Sequence, residues 1–203
     1  MTDYVHGYGT PEQQRLVEQA EHWRHRLIRD GTELEPGTRL LEVGCGVGAV
    51  LAVLGQEFPG VELFGVDVEP KQLAFARRHL EQAGVEATLV EADALALPFD
   101  DGSFDAVVMA NLLHLLPDPK LALAEARRVL RPDGLLCAPT FCHGEHALAR
   151  AVSGVLALAR FPVVTRFSAD SLVTTIDNAG FRVVDTRTYR GLLPLCLVVA
   201  RLP

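Results

Sequence analysis

Apolar residues along this chain follow two rhythms, short unbroken runs and stripes at helical spacing, and the two alternate. Runs at 39–43, 61–66, 87–91, 106–110 and 135–140 have the length of buried strands. Between them come helical stripes. The first carries Val47, Val50, Leu51, Val53 and Leu54 and ends at Pro59-Gly60. The second spans 70–83, with Leu73, Ala76, Leu80 and Ala83 on one face and Gly84 as its stop. The third opens at Asp118-Pro119, presents Leu121, Ala122, Ala126, Val129 and Leu130, and stops at Arg131-Pro132-Asp133-Gly134. Strands alternating with helices predict a parallel sheet in an α/β fold. Upstream, Thr10-Pro11-Glu12-Gln13 reads as a helix start, and Leu16, Val17, Ala20, Trp23, Leu27 and Ile28 form its apolar stripe. Downstream, Ser168 starts a helix over Leu172, Val173 and Ile176 that Gly180 stops. Runs at 181–189 and 192–200, joined by Arg190-Gly191, read as a closing antiparallel hairpin.

Composition narrows the class. The 203 residues fit one domain, and 49% hydrophobic content without a low-complexity run predicts autonomous folding. A net charge of −7 disfavours a nucleic-acid surface, which needs clustered Lys and Arg. Residues 1–20 hold no apolar signal region, and no stretch has the length of a membrane span, so the chain is read as cytoplasmic. Cys45, Cys137, Cys142 and Cys196 lack paired spacing and are expected to be reduced and mostly buried. Cys142, His143 and His146 lie close in sequence, but a structural zinc needs a fourth ligand that nothing indicates; no metal is assigned.

The candidate chemistry centres on Leu40–Ala49, Leu-Leu-Glu-Val-Gly-Cys-Gly-Val-Gly-Ala. Gly44, Gly46 and Gly48 let the backbone turn sharply and lie against a ligand at the start of a helix. Gly44-x-Gly46-x-x-Ala49 also satisfies the dinucleotide fingerprint, so the glycines alone leave the ligand open. Glu42 changes the balance, because a carboxylate there repels a pyrophosphate and suits a ligand with an ammonium group. Asp67 ends the second strand, where open α/β folds place an acidic residue to accept hydrogen bonds from ribose hydroxyls; it also reads as the cap of the following helix.

The stretch from Glu42 to Gly48 resembles motif I of the class I S-adenosylmethionine-dependent methyltransferases. "LPFDDGSFDAVVMANLLHLLPDP" and "EARRVLRPDGLL" are similar to small-molecule methyltransferases of the ubiquinone/menaquinone-biosynthesis type. The likeness runs over 38–139, with an Ala-Gly-Phe before the sixth strand in addition. It implies a Rossmann-like three-layer α-β-α sandwich: a seven-stranded, mostly parallel sheet with an antiparallel C-terminal strand. It implies a single domain with a cover segment at 1–35, a cofactor core at 36–140, a substrate-side insert at 141–167 and a C-terminal helix and hairpin at 168–203.

The implied cofactor is S-adenosyl-L-methionine. Glu42 would address its amino group, Gly44, Cys45, Gly46 and Gly48 its methionine and ribose portion, and Asp67 its ribose. Asp93 would receive the adenine amine with Ala94 beside the ring; Val68, Gln72, Asn111 and Leu112 complete the expected contacts. Tyr4, His6 and Tyr8 fall in the segment expected to fold over cofactor and substrate. Methyl transfer from a sulfonium is an in-line displacement that needs a base only when the acceptor must lose a proton. His114, His143 and His146 are the candidate bases. The expected acceptor is a small apolar or aromatic molecule, the expected assembly a monomer or homodimer. Two alternatives stay open: a nicotinamide-dependent oxidoreductase and a non-catalytic adenosylmethionine-binding module.

Overall fold

The computed structural model describes residues 34–158, 164–191 and 194–203. The cover segment with Tyr4, His6 and Tyr8, the helix expected after Thr10, and Leu192 at the hairpin lie outside the described residues. In chain order come β1 (Arg39–Val43), α1 (Ala49–Glu57), β2 (Glu62–Asp67), α2 (Pro70–Ala83), β3 (Thr88–Glu91) and β4 (Phe104–Val108). A 3-10 turn (Leu113–Leu115), α3 (Pro119–Val129), β5 (Leu130–Phe141), α4 (Ala147–Leu158), α5 (Ala169–Asn178), β6 (Arg182–Tyr189) and β7 (Leu195–Arg201) follow. The strands run in the order β3-β2-β1-β4-β5-β7-β6, and β7 is antiparallel to both its neighbours. The seven-stranded, mostly parallel sheet expected from the sequence is present. Contacts divide the chain into two compact units that meet in sequence at Ala94 and Leu95.

In the first unit Leu40, Leu41 and Val43 are fully buried, as an apolar run on a central strand requires. β1 runs parallel to β2 and β2 to β3, with Val43 level with Val66 and Val66 level with Val90. β2 begins at Glu62 and not at Val61, because the Val61 N–H turns back to the Phe58 carbonyl while Glu62 N–H reaches Thr38. The cap of α2 is Glu69, whose carboxylate accepts from the Lys71 N–H, with Pro70 at the first helical position. Asp67 is therefore not that cap. The stripe Leu73, Ala76 and Leu80 is buried as expected; Gln72 joins it, and Ala83 is only half-buried. In α1 the buried face is Ala49, Leu51, Ala52, Val53 and Leu54. Val47 stays in the loop and Val50 is half-buried, because the helix begins only after the third glycine.

In the second unit α3 is capped by Asp118, and its buried face is Ala122, Leu123, Ala126 and Val129; Leu121 is exposed, on the opposite side from Leu123. β4 starts at Phe104, a fully buried ring, two residues before the expected start. The Arg131-Pro132-Asp133-Gly134 stop lies inside β5. Phe104 is level with Leu130 and Ala106 with Leu135, so the four residues bulge out of the ladder, Asp133 at φ 60. Glu125 and Arg128 on α3 clamp the loop before β4. Arg128 donates to the Leu97 and Phe99 carbonyls at 2.9 and 2.7 Å, and Glu125 accepts from the Leu97 N–H at 2.8 Å. The two similar motifs quoted above are thus joined physically. α5 carries a full capping box between Ser168 and Ser171 and buries Leu172 and Ile176, with Val173 half-buried. β7 is buried along almost its whole length between β5 and β6.

Candidate cofactor site and a buried histidine pair

Gly44, Gly46 and Gly48 have φ of 73, 52 and 72, three left-handed residues in a span of five. A side-chain-bearing residue would add about 1–2 kcal/mol of strain at each. The Gly44 and Cys45 N–H groups both donate to the Val66 carbonyl, at 2.8 and 2.9 Å, which ties the loop to the end of β2. The Gly46 N–H donates to Asp67 Oδ2 and the Glu69 N–H to Oδ1, each at 2.9 Å. Asp67 therefore clasps the glycine loop from one oxygen and the start of α2 from the other. A carboxylate offers about four acceptor sites. Gly46 and Glu69 take two of them and the Val68 N–H also acts on the group, which leaves acceptor capacity for a further donor.

Charge at this site is concentrated and desolvated. Glu42 is only 2% exposed. Burial raises the Asp67 pKa above the ordinary carboxylate value, and the bonds from Glu69 and Gly46 oppose that rise. Burial lifts the Cys45 thiol far above its usual range, and the charges of Glu42 and Asp67 add to the effect. Cys45 is thus a packed neighbour of the two carboxylates, inert as a nucleophile. It has room only because residue 65 is glycine: a Cβ there would stand 2.9 Å from its Sγ. Gln72 is buried, and its Oε1 has no hydrogen-bond partner among the described residues. Val68, next to Asp67, is 67% exposed, an apolar side chain left open beside the carboxylate. Asp93 is exposed and Ala94 half-buried just beyond β3.

These residues fit an adenosyl amino acid. The glycine loop leaves backbone close to the ligand, Asp67 retains acceptor capacity, and the orphaned Gln72 oxygen is a further acceptor.

In the second unit Asn111 has φ 53, donates its N–H to the Pro139 carbonyl and keeps a buried Oδ1 without partner; Leu112 is half-buried. His114 sits in the 3-10 turn, 2% exposed, and His143 is fully buried. Their ring centroids are 5.3 Å apart, and Phe141 stands edge-on at 6.4 Å from each. Burial, then the neighbouring His143, lowers the His114 pKa to about 3. Burial, then Arg166, lowers that of His143. The sequence grouping Cys142, His143, His146 is dispersed. His146 is exposed and its Nδ1 accepts from the Ala149 N–H at the start of α4. The Cys142 thiol donates to the Thr140 carbonyl at 3.7 Å, with Cys196 near enough to raise its pKa. Among the described residues no group of three or more His, Cys, Asp or Glu gathers around one point. All four cysteines are free and buried, as expected.

A family model described as a methyltransferase domain matches residues 41–138. The chain is 33% identical over 211 residues to the O-methyltransferase cnsE of Penicillium expansum, across 97% of this chain and 73% of that protein. The chain belongs to the S-adenosylmethionine-dependent methyltransferases. The nicotinamide reading of the glycine loop is thereby set aside. The chain is also 44% identical over 114 residues to a demethylmenaquinone methyltransferase of Thermus thermophilus, covering 56% of this chain. It spans about half of that relative, 51% of its length. A SAM-dependent methyltransferase structure from Methanosarcina mazei superposes with a TM-score of 0.72 at 21% identity, over 83% of this chain and 94% of that one, which shows the shared fold. No helix among the described residues of the methyltransferase is long and apolar enough to cross a membrane.

Proposed function

We propose that this chain transfers the methyl group of S-adenosylmethionine to a small apolar or aromatic acceptor by in-line displacement. When bound, the cofactor supplies an activated methyl group on a sulfonium. The protein's part is to hold and orient it and to exclude water. Asp67 would accept from the ribose hydroxyls with the acceptor capacity its backbone donors leave over. Glu42 would face the amino group, and Asp93 the adenine amine, with Val68 and Ala94 against the ring and Gln72 Oε1 taking a further donor. Cys45 and the three glycines would let the loop backbone lie against the ligand. The relatives' names, one for demethylmenaquinone and one for O-methylation, support a small-molecule acceptor.

The observation that carries the reading is the Asp67 carboxylate, locked between the glycine loop and α2 and still able to accept. Titration calorimetry with S-adenosylhomocysteine tests it. The expected outcome is one-to-one binding that Asp67→Ala weakens by at least about 1 kcal/mol, the scale of a lost buried hydrogen bond. Equal affinity in a correctly folded variant overturns the assignment.

A further inference from the structure

Among the described residues, three buried ring nitrogens in the second unit have no hydrogen-bond partner: Nδ1 of His114, and both Nδ1 and Nε2 of His143. Both side chains are more than nine-tenths buried. Each buried polar atom left unsatisfied costs about 1–3 kcal/mol. A phenylalanine at 143 would fill similar space without that cost. Buried polar groups are otherwise almost always paired, so the orphans point to a ligand that completes them.

The chemistry of the pair restricts that ligand. Burial holds both imidazoles neutral. A neutral imidazole offers one N–H donor and one bare nitrogen acceptor. His143 therefore presents one of each, with His114 Nδ1 beside it. An anion such as a carboxylate or phosphate needs several donors and a free positive charge; each neutral ring supplies one N–H at most, and Arg166, the cation that acts on His143, already donates its Nε to Ser153 Oγ. A metal ion needs more ligands than two histidines, and no third ligating group gathers here among the described residues. A neutral hydroxyl fits, because one oxygen both donates and accepts, and centroids 5.3 Å apart let it reach both rings. Phe141, edge-on to both, adds an aromatic wall.

We infer that His114 and His143 together bind the neutral hydroxyl of an aromatic ligand, with His143 the residue that selects for it. The inference rests on the proposed function for the ligand's identity as methyl acceptor. Its geometry stands on residues 114–143 alone.

The test uses 1-naphthol as probe, with naphthalene and 1-naphthoate as comparisons. Binding is followed through the imidazole nitrogens by long-range proton–nitrogen NMR of the whole chain with S-adenosylhomocysteine present. The wild-type protein is expected to bind 1-naphthol at least about tenfold more tightly than either comparison, the factor that 1.4 kcal/mol represents. The His143 nitrogens are expected to shift with 1-naphthol only. His143→Phe is expected to erase the preference over naphthalene, and His143→Asn to restore part of it. Equal binding of naphthol and naphthalene to the wild type, or an undiminished preference in His143→Phe, overturns the inference. The wild-type comparison stands even where a variant fails to fold. S-adenosylhomocysteine affinity, read on the same samples, separates the two proposals. Its absence sinks the methyltransferase reading, whereas cofactor binding without naphthol preference sinks this one alone.

Discussion

A side chain at position 65 has nowhere to go. A Cβ there would lie 2.8 Å from Leu51 and Leu89 and 2.9 Å from Cys45, of which Leu51 and Cys45 are buried core and Leu89 is half-buried. Gly65→Ala is expected to destabilise the protein by about 2 kcal/mol, within the range for overpacked cores, read as a lower urea midpoint at unchanged slope. At this scale the sequence was legible wherever a residue type is tied to backbone geometry or charge. The three left-handed glycines and the carboxylate at the end of β2 stand where their spacing put them. Contacts made by register were not legible. Cys142 meets Cys196 because β7 pairs antiparallel with β5 and sets Thr140 level with Cys196, a relation between residues far apart in the chain. Buried Gln72 was named from the resemblance, while helical spacing alone gave no reason to sink an amide into that face.

Helices announced by a cap were legible almost to the residue, whereas strand ends were not. α2 occupies the predicted 70–83, fixed by Pro70 in front and Gly84 at φ 67 behind. α5 follows its serine in the same way. Ser168→Ala removes a hydroxyl that accepts from the Ser171 N–H, and is expected to cost about 1 kcal/mol of stability. Thermal unfolding checks this, and a change confined to experimental error would show the box to be idle. Strand limits shifted by one to five residues because they are set by the neighbouring strand's hydrogen bonds and not by the run of apolar residues. β5 shows the limit most clearly: its Pro-Asp-Gly reads as a full stop, yet pairing resumes on the same strand after the bulge. The exposed Leu121 is a phase error of the same kind, since Leu123, two residues on and on the opposite side of the helix, takes the buried face.

For the molecule as a whole, the neutral histidines contribute to the loss of stability on the acid side. His114 binds its proton near pH 3 when folded and near 6.5 when unfolded. Below about pH 6.5 the unfolded chain holds more protons, so stability falls as pH drops toward 3, by up to about 1.4 kcal/mol per pH unit for this one group. His143 contributes with the same sign. His114→Phe is expected to flatten the loss between about pH 6 and pH 4, measured as urea midpoints across that window; an unchanged slope would mean the ring is protonated in the folded state. The overall topology was the most legible feature of all, because alternating strands and helices leave few arrangements. What the pattern could not convey is which unit each expected contact would fall in. The final strand carries one more consequence. β7 follows β6 in the chain but lies between β6 and β5. Until residues 195–201 slot into place, β5 and β6 each lack a partner along the flank that β7 covers, and a chain caught in that state is open to sticky pairing with its neighbours.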